Sequence, residues 1–490
     1  MLYKARAGRR RTVVRAARAC VACGLAGAMA AYSQPGTKRA KREGRTDTTD
    51  YFQGIDKIEY NNMASPSETT SYRYYNSTER IHSRPMEEWL KFSVSLTEFR
   101  SNGSDLRGRP TYTRPWDDGT NTLDNCKRCI KALFDFCTKL GVKYWTAFDS
   151  DLVPYTESWD ENKTHWDDIV EYIQDMAQRS HVKLLWMAPD LHSHPRYAGG
   201  SFTSHDAATF VQAASQIKRC LEISHRLNAE CFLLWPYREG YDSIYHTDVN
   251  REIKLFAKLM KITAEYKDRL NYRCQLLVMP YYNCNHGRGY NHYSHSMRSL
   301  LRDHEMVNMY MWDVTSCLYF LKNYNLDRYY KVCTPPGHHM FMANVYNMLG
   351  GVFMTNDVDQ YDSKRLTLMM KCIVDQGTAP PGGVGLRLTP RRDGDLRDLA
   401  TLHMKYIDAV AKGLRFACTL IAEQIFAKHI QQRYATYYSG FGSRLVSSDI
   451  SMEECEEYYK KNQHHGEVTS SKAEQLDLVF QRYLDTCDHI

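Results

Sequence analysis

The chain has 490 residues, with 64 Lys and Arg against 57 Asp and Glu, and a formal net charge of +7. Nine Arg and three Lys fall in residues 1–45 against one acid, Glu43, so that stretch carries +11 and residues 46–490 carry −4. The basic balance therefore belongs to the amino end, and nothing in it makes a case for nucleic-acid binding. In that leader, Arg9, Arg10, Arg11, Arg15 and Arg18 interleave with Val and Ala ahead of a small-residue run from Ala19 to Ala31. An Arg-rich, acid-poor stretch predicts a mitochondrial presequence over residues 1–47. A secretory signal is the alternative, with the sequons at Asn76, Asn102 and Asn162 then meaningful. The apolar run is well below the roughly 20 residues of a membrane span, so no transmembrane segment is expected. The fifteen Cys are odd in number and scattered. Cys126 and Cys129 have no partner pair at zinc spacing and read as helix-core thiols in a reducing compartment.

Past the leader, eight short apolar runs follow: 92–99, 144–149, 183–188, 231–236, 274–279, 330–335, 350–355 and 383–388. Most precede a helical pattern. Phe210, Ala213, Ala214, Ile217 and Leu221 place a helix over 207–227. Trp166, Ile169, Tyr172, Ile173 and Met176 do the same over 161–179, and Ile253, Phe256, Leu259 and Met260 over 247–267. Strand, helix and strand from Lys183 to Asp248 make a βαβ unit, which demands a parallel sheet. Eight such units predict an α/β fold, a (β/α)8 TIM barrel over residues 48–393, with its site on the loops after the strands. No Gly-rich phosphate loop supports an open doubly wound sheet. A segment at 284–305, rich in His, Tyr, Asn and Arg, interrupts the fifth unit. His286, His292, His295 and His304 match no zinc spacing, and the segment reads as an exposed contact loop on the site face. From about Asp393 the strand signals stop. Residues 399–430 read as one long helix or two, then comes a Tyr-rich turn at 434–442 and a charged helical tail. Residues 394–490 are expected to be a helical arm that buries its apolar faces in an oligomer.

Several blocks occur in an order that resembles the xylose isomerase family, in its longer-chain class. They are FQGIDKIEY at 52–60, RYYN at 73–76, MEEWLKFSV at 86–94, RPW at 114–116, LGVKYW at 140–145 and SHPR at 193–196. Trp235 with Arg238-Glu239-Gly240-Tyr241, Thr247-Asp248, YNLDRYYK at 324–331, DVDQY at 357–361, GLRFACTLI at 413–421 and RYATYYSGFG at 433–442 complete the series. The resemblance covers residues 51–490. It implies a TIM barrel whose carboxy-terminal arm wraps a neighbouring barrel, and a hydride shift between C1 and C2 of a sugar held by two divalent cations, Mg, Mn or Co.

At the chemical positions the resemblance fails. Of seven implied metal ligands, three are retained: His338, Asp357 and Asp359. The strand-five glutamate position is Met279, the strand-six glutamate is Pro335, the strand-eight aspartate is Arg387, and a segment carrying one more aspartate is missing before Thr355. A thioether, an imide ring and a guanidinium do not replace carboxylates around a hard cation. The implied substrate-polarising lysine is Tyr281, and the implied catalytic histidine of strand two is Phe148, which leaves its orienting Asp151 without that partner. After strand one the family's Trp-His-Thr-Phe is Leu96-Thr97-Glu98-Phe99. The loop that lends a Phe to the neighbour's pocket is Asp105-Leu106-Arg107-Gly108. Trp116, Trp186 and Trp235 remain as a vestigial substrate pocket.

The expected function is therefore a catalytically degenerate xylose isomerase-like protein, a structural or scaffolding subunit of a mitochondrial assembly with no cofactor. Its expected partners are copies of itself, as a dimer or tetramer, or the subunits of a larger mitochondrial complex. Two alternatives remain. One is an active isomerase of D-xylose and D-xylulose with a rebuilt metal site drawn from Asp357, Asp359, His338 and Asp149 or Asp151. The other is a non-catalytic sugar sensor.

Overall fold

The computed structural model describes residues 49–100, 114–156, 158–280, 308–355, 362–391, 393–462 and 470–486. The leader, the insertion at 284–305, the run 105–108, Tyr281, Asp357 and Asp359 lie outside the described residues.

Eight strands form the centre: β1 Phe92–Ser95, β2 Tyr144–Phe148, β3 Lys183–Ala188, β4 Cys231–Leu234, β5 Gln275–Val278, β6 Tyr330–Thr334, β7 Leu349–Thr355 and β8 Val384–Arg387. Each pairs in parallel with the next. β8 returns to β1, with Val384 against Phe92 and Leu386 against Val94, so the sheet closes into a barrel. Every predicted apolar run overlaps one of these strands. The runs are short and apolar because a strand in a closed parallel barrel is covered on both faces, by the lumen and by the helices. Gly383 has φ +63°, and a Cβ there would lie 2.2 Å from the Lys91 carbonyl oxygen. Only glycine lets the chain turn into β8 against that backbone.

The outer layer is α1 Leu123–Leu140, α2 Trp159–Ser180, α3 Ala207–Arg226, α4 Val249–Arg269, α5 Val314–Asn323, α6 His338–Val345, α7 Ser363–Asp375 and α8 Leu396–Ala422. A side chain caps the amino end of seven of them: Thr122, Ser158, Asp206, Asp248, Asp313, Asp362 and Asp395 accept backbone N–H groups of the first turn. Each such cap stabilises its helix by about 1 kcal/mol and fixes where the preceding loop ends. The exception is α6, which opens after Pro335-Pro336-Gly337 with no capping side chain. Cys126, Cys129 and Cys137 on α1 are buried, with no disulfide among the described residues.

Helix α8 belongs to the barrel's outer layer. Val410, Ala411, Leu414 and Ala417 are buried in the main core, and Asp408 accepts the backbone N–H groups of Tyr74 and Tyr75. Residues 394–422, read from sequence as the start of the arm, thus complete the eighth β/α unit. The expected long helix breaks at Glu423 and Gln424, the latter at φ 59°, into α8 and α9 Ile425–Arg433. Beyond it run α10 Gly440–Ser447, α11 Met452–Asn462 and α12 Ala473–Thr486. α12 returns to the body, where Phe480 and Leu484 pack with Phe416, Leu420 and Ile425. No residue of α10 or α11 is buried, and Val446, Met452 and Tyr459 are 72%, 83% and 68% exposed.

Candidate functional site

The carboxyl ends of the strands converge on one mouth, and its two sides differ in chemistry. On the β2–β6 side, Phe148, Ala188, Cys231, Leu233, Leu277 and Cys333 form a buried apolar cluster, with Trp186, Trp235 and Met279 partly buried against it. The Phe148 ring lies 5.7 Å from that of Trp235 and 6.2 Å from that of Trp186. His192, in the loop after β3, sits edge-on to Phe148 and Trp235 at 5.5 and 4.9 Å. Phe148 therefore does more than omit an imidazole: it anchors an aromatic wall.

Beneath that wall the two carboxylates that follow β2 are hydrogen-bonded. Asp151 accepts from the Thr97 hydroxyl at 2.7 Å and from the Phe148 backbone N–H at 3.1 Å. The expectation that Asp151 lacks a partner is therefore corrected: Thr97, two residues past the end of β1, takes the place of the histidine. Asp149 accepts from the N–H groups of Ser150 and Asp190 and from Gln216 Nε2. Burial nevertheless pushes both carboxyls up to about 6. For Asp190, burial works upward but is outweighed by His192 and by donors on Ser193 and Ser150, which hold it below the usual range. His192 is lowered first by burial, then by the guanidinium groups of Arg238 and Arg387, against the pull of Asp190. Its Nδ1 lies 3.2 Å from Asp190 Oδ1. Glu239 is buried and accepts four hydrogen bonds, from the N–H and hydroxyl of both Ser201 and Thr203.

On the β8–β1 side, Arg387 Nε donates to Glu98 Oε1 at 3.1 Å, and the Thr389 hydroxyl donates to Glu98 Oε2 at 2.6 Å. The Glu98 side chain is 7% exposed and that of Arg387 is 49% exposed. Glu98 was not anticipated as a partner for Arg387, although the signal existed: in a closed barrel the ends of the first and last strands are neighbours.

The remaining predicted residues divide. Trp186 and Trp235 line the mouth. Trp116 is 1% exposed, stacked on Phe99 at 5.2 Å and donating from Nε1 to the Phe99 carbonyl, so it belongs to the main core and not to the mouth. His338 is exposed at the first turn of α6, 5.7 Å ring to ring from His339. Met279 belongs to the apolar cluster, Pro335 offers no side-chain ligand, and Arg387 brings a permanent cation. Among the described residues no three His, Cys, Asp or Glu side chains converge as a metal-binding group. A pair of divalent cations needs several hard oxygen ligands, and the donors at these described positions do not fit it.

A family model described as the XylA2 C-terminal domain matches residues 430–484. The xylose isomerase of Caldicellulosiruptor bescii is 30% identical over 455 residues, 89% of this chain and 99% of that protein. The xylose isomerase of Arabidopsis thaliana is 29% identical over 487 residues, 94% of this chain and 97% of that protein. The crystal structure of D-psicose 3-epimerase with D-tagatose from Clostridium cellulolyticum H10 aligns at 11% identity and a TM-score of 0.41, covering 67% of this chain and 98% of that one. The chain belongs to the xylose isomerase family.

Proposed function

We propose that this member of the xylose isomerase family is catalytically degenerate and serves as a structural subunit of a mitochondrial assembly. The observation that carries the first half is the group of residues at the strand ends. Phe148 and Met279 build an apolar wall where proton transfer and a bridging carboxylate would be required, and Arg387 is engaged by Glu98 where a cation would need an anionic ligand. The two-cation chemistry of the family needs oxygen donors on opposite sides of the sugar, and three of the implied positions supply none. The second half rests on the +11 leader and on the exposed apolar residues of α10 and α11, which suit a copy of the same chain or another subunit of the assembly. The test is elemental analysis and turnover of the purified protein. The expected result is no stoichiometric Mg, Mn or Co and no interconversion of xylose and xylulose. About two divalent ions per chain, or measurable turnover, would overturn the reading in favour of an isomerase with a rebuilt site. For the leader, the amino terminus of the mature protein is expected between residues 20 and 50; an intact Met1, or glycans at Asn76 or Asn162, would refute mitochondrial import.

A further inference from the structure

The two-sided mouth has a ligand chemistry of its own. Side chains alternate along a strand. A Cβ on Gly385 would face Ser93 Oγ, whereas Val384 and Leu386 pack into the core with the helices. Arg387, two residues beyond Gly385, therefore shares the lumen face with it. Its side chain stays half exposed while its neighbours Leu386 and Leu388 are 1% and 0% exposed. Glu98 grips it at Nε only, and the second Glu98 oxygen is taken by Thr389. Among the described residues nothing accepts from the terminal nitrogens, so the end of the guanidinium is presented to the mouth. Across the mouth stands the aromatic wall of Phe148, Trp186 and Trp235. Arg238 adds a second cation, with its Nε buried and without a hydrogen-bond partner. Arg238 lies three residues beyond Trp235 in the loop after β4, and Arg387 ends β8 on the same mouth; both guanidinium groups also lower His192, which packs on that wall.

We propose that the mouth binds a sugar-sized ring carrying an anionic group, a carboxylate or a phosphate, with the ring on the aromatic wall and the anion on Arg387. A guanidinium held side-on by one carboxylate still offers a planar pair of donors, the geometry that accepts a carboxylate or phosphate in bidentate fashion. A flat aromatic wall takes the apolar face of a ring. The fixed cation then stands where the family's sugar oxygens would meet a metal, and it prefers a full negative charge to a hydroxyl. The proposal rests on the metal-free reading above.

The probes are D-glucuronate and D-xylose. They share a pyranose ring and differ by the carboxylate on C5. Affinity for the full chain, stripped with chelator, is read by tryptophan fluorescence and by thermal shift. Glucuronate is expected to bind at least about tenfold tighter than xylose, as one charge-assisted contact would give. Added Mg is expected to change nothing. In the double variant Glu98→Gln with Arg387→Gln, which keeps a polar pair without charge, the preference should vanish. Arg387→Lys, which keeps the charge and loses the fork, should weaken glucuronate and is the readout if the double variant does not fold. Equal metal-free affinities for the two sugars, a preference that survives in both variants, or no binding of either would overturn the anion site and leave the metal-free reading intact. Tight xylose binding that appears only with Mg would overturn both.

Discussion

Lowering the pH sets two opposite kinds of buried group against each other in this barrel, and His403 isolates one of them. His403 is 0% exposed on α8. Its Nδ1 lies 2.9 Å from the Leu399 carbonyl, its Nε2 has no partner, and its ring sits edge-on to Phe136 at 5.0 Å. Burial lowers it from 6.5 to about 4, against smaller upward pulls from the Leu399 carbonyl and Glu98. A base whose folded value is depressed binds fewer protons folded than unfolded. Its neutral form therefore stabilises fully above pH 6.5, and the stability is lost progressively as pH falls from 6.5 toward 4. About 2.5 units at 1.36 kcal/mol each give a loss of about 3 kcal/mol across that window. Asp149 and Asp151 run the other way. Their folded values of about 6 lie above the usual 3.8, so the folded state binds more protons, and stability rises as pH falls from about 6 toward 3.8. Between pH 6.5 and 5 the two effects are each about 2 kcal/mol and nearly cancel. His403→Leu removes only the loss, so its urea midpoint should rise relative to the parent as pH drops from 7.5 to 5. Asp151→Asn removes part of the gain, so its midpoint should fall over the same range. Parallel profiles for His403→Leu and the parent would refute a buried neutral imidazole at this position.

Two further outcomes follow from the packing. Met279→Glu places a carboxylate against Phe148, Trp235 and Leu277, and should cost about 2–4 kcal/mol by urea denaturation while binding no metal, because Pro335 and Arg387 remain; one stoichiometric Mg or Mn on this variant would refute the reasoning. Deleting residues 424–490 uncovers Phe416 and Leu420 and removes the exposed apolar helices, so light scattering should report aggregation, and recovery of a stable soluble monomer would refute the oligomer proposal.

The barrel was legible because its signal is repeated: eight apolar runs each had to be a strand once the parallel βαβ unit of β3, α3 and β4 was set. The length of the arm was less so. Residues 399–422 have the same apolar periodicity whether a helix packs on its own barrel or on a neighbour's, and only the register of Val410, Leu414 and Ala417 against the body decides it. The side-chain chemistry at Met279, Pro335 and Arg387 can be read one residue at a time, since none of the three offers a carboxylate. Compensations cannot. Thr97 and Asp151 are 54 residues apart, and Glu98 and Arg387 are 289 apart. No local pattern ties such pairs; strand closure does. Trp116 shows the same limit from the other side, because a tryptophan near a pocket in sequence gives no sign of which face its ring presents.

The Glu98–Arg387 pair also determines how the mouth responds to reversal. Arg387→Asp restores the family's residue type at the end of β8, yet it sets a second carboxylate against one whose side chain is 7% exposed. Like charges at that range disfavour ionisation of one of them, so the change should destabilise the barrel more than Arg387→Gln does. Replacing Glu98 by Gln in the same chain should relieve most of that difference. A double-mutant cycle on Glu98→Gln and Arg387→Gln measures the pair directly. Because Arg387 is half exposed, solvent screens it, and the expected coupling is about 1 kcal/mol rather than the several expected of a fully buried pair. Coupling near zero would mean that Glu98 is held by Thr389 alone and that Arg387 swings free, in which case Arg387→Asp should be tolerated as well as Arg387→Gln. Coupling of the expected size makes the residues after β1 and at the end of β8 a linked pair of charges across the closing seam, one that no single reversion undoes.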